Sequence, residues 1–143
     1  MINDERKKNL LDVQEIFTAL TRKATNEWNQ LNQTDLCITH VLILQLLEER
    51  GPQRPTYLAD ELQITTGGIT GLTNKLAKED LIQRSMSEQD RRAIHLEITD
   101  RGRDILGSAI KQIDELTERL FGSLPDKDLR ELRRILRVIL KNL

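Results

Sequence analysis

Apolar positions recur every three or four residues at Leu10, Val13, Phe17, Leu20, Ala24, Trp28 and Leu31, which predicts one long amphipathic helix over residues 8–31. Asn32-Gln33-Thr34-Asp35 interrupts the pattern with turn formers. A second helix, about 39–50 by the same reading, carries the dense run Val41, Leu42, Ile43, Leu44, Leu46 and Leu47 and is apolar on most sides, so it is expected at the centre of the fold. Gly51 and Pro52 end it. Two short helical units follow, TYLADEL and TGGITGLTNKLAKED, joined by Gln63-Ile64-Thr65, with Thr56 and either Thr65 or Thr66 expected as N-caps. Leu58, Leu62, Ile69, Leu72 and Leu76 form their shared apolar side, and Thr66, Gly67, Thr70, Gly71, Asn74 and Lys75 fall on the outer face of the second unit.

Residues 81–85 and 93–98 then read as strands, the second alternating Ile94, Leu96 and Ile98 with His95 and Glu97. The charged stretch between them suits a solvent-projecting hairpin tip. From Thr99, an expected N-cap, a helix runs through Ile105, Leu106, Ala109, Ile110, Ile113, Leu116 and Leu120 until Gly122 and Pro125. A last helix, about 126–141 by its periodicity, carries Leu129, Leu132, Ile135, Leu136, Ile139 and Leu140. Helix, short helix, short helix, hairpin is the order of a winged helix-turn-helix, in which the last short helix enters a major groove and the hairpin reaches the neighbouring minor groove. The fold expected is mainly α with a small β-hairpin wing. It forms one domain, 1–143, with the winged unit at 36–99 and dimerisation helices at 1–35 and 100–143. The terminal helices have apolar stripes longer than a winged unit can cover, so two copies of the chain are expected to share them.

Composition narrows the possibilities. The 143 residues include seven Gly, three Pro and four aromatics (one Trp, one Tyr, two Phe), too few for a β-sandwich, and a chain of this length folds without disulfides or metals. No apolar run approaches the roughly 18 residues of a membrane span and the N-terminus lacks a secretory apolar stretch, so a cytoplasmic location and no membrane partner are expected. With 22 Lys+Arg against 23 Asp+Glu, a net charge of −1, nucleic-acid binding must depend on local charge. Residues 65–78 hold Lys75 and Lys78 without an acid, and the last nineteen residues hold six basic residues against three acids, a local +3.

Within Leu58-Ala59-Asp60-Glu61-Leu62, Thr65-Thr66-Gly67-Gly68-Ile69-Thr70, Asn74-Lys75-Leu76, Leu81-Ile82-Gln83-Arg84, Asp90-Arg91-Arg92-Ala93 and Thr99-Asp100-Arg101-Gly102, the chain resembles the MarR/SlyA family of bacterial transcription regulators. The resemblance spans nearly the whole chain and implies a homodimer that binds pseudo-palindromic double-stranded DNA. Residues 66–79 would be the recognition helix and residues 84–95 the wing. It further implies a repressor released by a small apolar or aromatic effector, with Trp28, His40, Leu44 and Ile105 or Ala109 as a compatible lining. The resemblance implies Thr65, Thr66, Gly67, Thr70, Gly71, Asn74, Lys75, Lys78, Arg84, Asp90, Arg91 and Arg92 as the DNA-binding residues, and the chemistry of several of them agrees. Thr70 and Asn74 lie four apart and can bond base edges or phosphates; Lys75 and Lys78 suit phosphate neutralisation. Asp90 can orient Arg92 toward a narrow minor groove. Many relatives carry Arg or Asn where Gly71 stands, so base readout is expected to be modest, or the backbone to approach DNA closely. A winged-helix dimer that acts only on another protein is the competing reading.

Cys37 and His40 have the C-x-x-H spacing of half a zinc site, but two ligands do not make one, and Cys37 reads as a small apolar core residue. Trp28 reads as packing, with stacking on an effector the alternative. No nucleophile motif, phosphate-cradling loop or metal cluster supports catalysis, and no cofactor is expected.

Overall fold

A computed structural model of the chain describes residues 3–86 and 93–143. Its elements are α1 (Asp4–Leu31), α2 (Ile38–Arg50), α3 (Pro55–Leu62), α4 (Thr66–Lys78), β1 (Ile82–Met86), β2 (Ile94–Ile98), α5 (Asp100–Phe121) and α6 (Asp126–Asn142). The expected order is the observed one: mainly helical, with a two-stranded antiparallel hairpin. Among the described residues no helix is long and apolar enough to cross a membrane.

The chain divides into two compact units, Thr34–Lys111 and a terminal unit made of Met1–Gln33 with Gln112–Leu143. The division falls inside α5 rather than at residue 100. The first turns of α5 remain with the winged unit because Gly102 and Leu106 are buried and Arg103 pairs with Glu48 of α2 at 2.8 Å.

The winged unit is built around α2, whose Ile43, Leu44 and Leu47 are essentially inaccessible, as the dense apolar run requires. Leu58 of α3, Ile69 and Leu76 of α4, and Ile82, Leu96 and Ile98 of the hairpin complete the core. Ile82 pairs with Ile98 and Arg84 with Leu96, so these four share one face of the hairpin. Gln53 adds a short third edge, since its N–H and carbonyl both bond Leu96 (3.0 and 2.8 Å).

Helix ends explain how the short units stay in place. α3 starts at Pro55 rather than behind a Thr56 cap, because proline's fixed φ and missing N–H suit the first helical position. It ends with Gln63 in the left-handed region (φ 53°), where Ile64 N–H bonds Ala59 O and Gln63 N–H bonds Asp60 O. α4 ends in the same way at Asp80 (φ 61°), with Leu81 N–H on Leu76 O and Asp80 N–H on Ala77 O. Each non-glycine left-handed residue makes a sharp stop, so the chain turns at once into the next element.

The hairpin base is fixed at one junction. Thr99 donates its N–H to Leu81 O (3.0 Å) and its hydroxyl to Asp80 O (2.6 Å), and its Oγ1 accepts the Gly102 N–H (3.0 Å) as the N-cap of α5. Gly102 lies so close to the hairpin that a Cβ there would sit 2.1 Å from Leu81 O and 2.7 Å from Ile98 Cγ1.

In the terminal unit, Arg119 of α5 reaches Glu27 of α1 (2.7 Å) and Glu115 (3.1 Å). The apolar stripe of α1 is open: Leu10, Val13, Ile16 and Phe17 are each more than half exposed. α6 has no buried residue at all.

The Gly102 contact is backbone against backbone and cannot be relieved by a rotamer change. Gly102→Ala is expected to destabilise the fold by on the order of 3 kcal/mol. Chemical denaturation would measure this, and an unchanged midpoint would mean that α5 does not lock the hairpin there.

Candidate nucleic-acid interface

α4 begins where Thr65 Oγ1 accepts the Gly68 N–H at 3.1 Å, which selects Thr65 over Thr66 as the N-cap. Gly68 is a packing glycine, since a Cβ would meet Ile64 Cγ2 at 2.7 Å, whereas Gly67 and Gly71 have nothing within 4 Å of theirs. Thr66, Gly67, Thr70, Gly71, Asn74 and Lys78 are exposed and make a shallow face of small polar groups. The Thr70 hydroxyl donates to Thr66 O (2.8 Å), so toward a partner it presents an acceptor. Ile69, Thr73 and Leu76 bury the opposite side, and the Thr73 hydroxyl bonds back to Ile69 O (2.8 Å).

Arg84, an exposed residue of β1, donates to Asn74 Oδ1 at 3.2 Å, which links the hairpin to the outer face of α4. The bond occupies the amide oxygen and leaves the Asn74 NH2 group as two outward donors. Sequence reasoning singled out both residues without pairing them, because no spacing rule relates a helix position to a strand ten residues later.

Lys75 departs from the expected outer face. It is half-buried, and its Nζ donates to Asp35 O at 2.7 Å, across to the connector before α2. One residue before the buried Leu76, it lies on the flank of α4, and its long stem carries the ammonium to a carbonyl that the turn leaves open. Lys78, three residues on, is exposed. Asp90, Arg91 and Arg92, the expected tip of the wing, lie outside the described residues.

Cys37 is exposed, not a core residue, because it is the N-cap of α2 and so stands outside the helix. Its N–H donates to His40 Nδ1 at 3.0 Å, and its Sγ is 3.1 Å from the same nitrogen. His40 is buried and acts as the returning arm of a capping box. Burial holds its pKa below the ordinary histidine value, with the Lys75 cation adding to the shift and Glu79 opposing it. Cys37 and His40 therefore form a cap, and among the described residues no three metal-ligating side chains cluster.

The expected effector-lining residues are divided between the units. Trp28 is buried in the terminal unit. His40, Leu44, Ile105 and Ala109 belong to the winged unit, where Leu44 is fully buried in the core and Ile105 is half-buried.

Residues 36–94 match the model of the MarR family. The match covers 59 of the 143 residues, the winged part of the chain. Over 127 residues (89% of this chain and 90% of the relative) it is 28% identical to a Bacillus subtilis protein named an uncharacterized HTH-type transcriptional regulator, YpoP. A mutant MarR from E. coli, solved in complex with operator DNA, superposes with a TM-score of 0.78 at 17% identity over 92% of this chain and 96% of that one. BpsR of Bordetella bronchiseptica, whose DNA binding is regulated by 6-hydroxynicotinic acid, has a TM-score of 0.77 at 18% identity, covering 89% and 91%. The MarR-family match and the curated relative support a DNA-binding transcriptional regulator and not an enzyme; the two solved structures share its winged-helix fold.

Within the winged unit the buried His40 should make stability depend on pH. Its folded pKa lies below the ordinary 6.5, so the unfolded chain takes up the proton more readily. The stability of the neutral ring is complete above pH 6.5 and is lost as pH falls below that value. His40→Gln keeps a capping arm but does not titrate. Urea unfolding at pH 7.5 and 5.5 should show a larger loss for the wild type than for His40→Gln; equal losses would refute the assignment.

Proposed function

We propose that the chain is a homodimeric transcription repressor that binds a pseudo-palindromic duplex, with α4 in the major groove and the hairpin in the adjacent minor groove. The exposed face of α4 carries this reading. Thr70 offers an acceptor and Asn74 two donors, suited to base edges or phosphates, while Lys78 offers a cation to the backbone. Gly67 and Gly71 project nothing that would hold a groove wall away. Each also costs about 1 kcal/mol of helix propensity relative to alanine, and no neighbour within the chain requires it. Arg84, bonded to Asn74, joins this face to the wing. Arg91 and Arg92 would extend the contact at the tip, with Asp90 orienting Arg92.

Two recognition helices require two chains. A 17-residue helix with no buried residue has little to hold it in place, and the exposed Ile135, Leu136 and Ile139 of α6, with Leu10, Val13 and Phe17 of α1, supply an apolar surface for a second copy. A small, largely apolar or aromatic effector, by analogy with BpsR, would release DNA by favouring a different separation of the two helices. Trp28, His40, Ile105 and Ala109 are the residues proposed to sense it. Leu44 would support them from the core.

Selection from a random pool should return half-sites centred about 10 base pairs apart. Affinity should fall with salt as phosphate neutralisation requires, and Lys78→Ala should weaken operator and random DNA by a similar factor. Gly71→Ala should raise the melting temperature yet weaken operator binding, opposite signs that a purely structural glycine would not give. A binding constant independent of salt would sink the DNA reading in favour of a protein partner.

The dimer has its own test. Leu136→Glu with Ile139→Glu should yield monomer or insoluble protein by sedimentation, and a stable wild-type monomer at micromolar concentration would remove the basis for two-fold recognition.

A further inference from the structure

The basic residues of α6 lie on one side only. Lys127, Arg130, Arg133, Arg134, Arg137 and Lys141 are all exposed, and at 100° per residue they fall within an arc of about 120°. The helix's leucines and isoleucines fill the opposite arc. From Lys127 to Lys141 the stripe runs about 21 Å at the helical rise of 1.5 Å per residue. Five of its side chains border one shallow groove.

Ion pairs neutralise little of this stripe, which differs from other surface cations in being gathered into one row. Arg50, Arg103 and Arg119 each hold a carboxylate (3.2, 2.8 and 2.7 Å). On α6 only Arg134 does, through Glu131 at 2.5 Å; among the described residues Lys127, Arg130, Arg133, Arg137 and Lys141 have no ion pair. In a chain of net charge −1 with 23 acidic residues, five unpaired cations in one row are a segregation of charge, not a surplus.

We propose that the outer face of α6 is a second, sequence-independent binding surface for a DNA duplex, separate from α4, so that a dimer can hold two duplexes at once. The chemistry favours a phosphate backbone. Four of the six cations are arginines, whose planar forks match phosphate oxygens, and a straight row of charge suits a rigid rod carrying one phosphate per roughly 1.7 Å. The stripe has no amide or hydroxyl group for reading bases, which makes contact independent of sequence. A lipid surface would need the apolar arc as well, and that arc is the one assigned above to the partner chain.

The test uses full-length protein and two random-sequence 30-base-pair duplexes with different labels. The wild type should carry both labels in one particle. The triple variant Arg130→Gln, Arg134→Gln, Arg137→Gln, which keeps helix propensity, should lose the doubly labelled particle while sedimenting as the wild type does. Its slope of log affinity against log salt for random duplex should be shallower by about 3, and that of Arg137→Gln alone by about 1. Arg137→Gln keeps the test decisive if the triple variant misfolds. Wild-type particles that never carry both labels, or variants with the wild-type slope, would overturn the proposal. It would equally be overturned if the substitutions abolished binding to phosphatidylcholine–phosphatidylserine vesicles and left duplex binding unchanged.

Discussion

The close approach of Gly102 to the Leu81 carbonyl is the constraint on which the winged unit depends. Three chain segments converge there: the end of α4 through Asp80 and Leu81, the base of the hairpin through Leu81 and Ile98, and the first turn of α5 through Thr99 and Gly102. Thr99 spends its hydroxyl twice, as donor to Asp80 O and as acceptor of the Gly102 N–H, so the cap of α5 and the closure of the hairpin are one feature. A side chain at 102 would drive these segments apart. The orientation of the hairpin relative to α4, and with it the Arg84–Asn74 bond, follows from this packing.

Charge shows the same dependence on placement over amount. With near balance overall, lysines of the same α4 helix have different fates because they project at different angles: Lys75 is drawn to Asp35 O, while Lys78 stays in solvent. Lys75 also helps keep His40 neutral, so a residue that reads as a phosphate contact contributes to the cap of α2 instead. Each exposed pair, such as Arg103 with Glu48, adds modest energy and mainly fixes which faces of α2 and α5 meet.

Much of the fold was legible because its elements are long and periodic. All six helices, both strands, the Thr99 cap and the Gly51 stop followed from spacing and from residues with restricted backbones. The failures are local. Pro55 took the helix start from Thr56, a boundary decided by one residue's missing N–H. The Gln53 edge is a single pair of bonds and leaves no alternation to read. Cys37 was assigned by the habits of cysteine, while its place just before α2 put it in solvent as a cap. Of the candidate interface, the outer row Thr66, Gly67, Thr70, Gly71 and Asn74 was legible from helical angle alone. The Arg84 link to Asn74 is a tertiary contact and has no sequence signature.

The makeup of α4 carries the argument one step further. Three glycines within six residues give it weak intrinsic helicity, and three threonines add little. The helix is held instead from its ends and from behind, by the Thr65 cap, the closing bonds at Asp80 and Leu81, and the burial of Ile69 and Leu76. None of those supports uses the outer face. Gly68 is explained by Ile64, but Gly67 and Gly71 meet nothing, so the roughly 2 kcal/mol of propensity they forgo has no compensation inside the chain. Local rules broken without an internal cause are characteristic of functional surfaces. In the DNA reading proposed above, the compensation would lie outside the chain, in a partner whose surface comes closer to the α4 backbone than a row of ordinary side chains would allow.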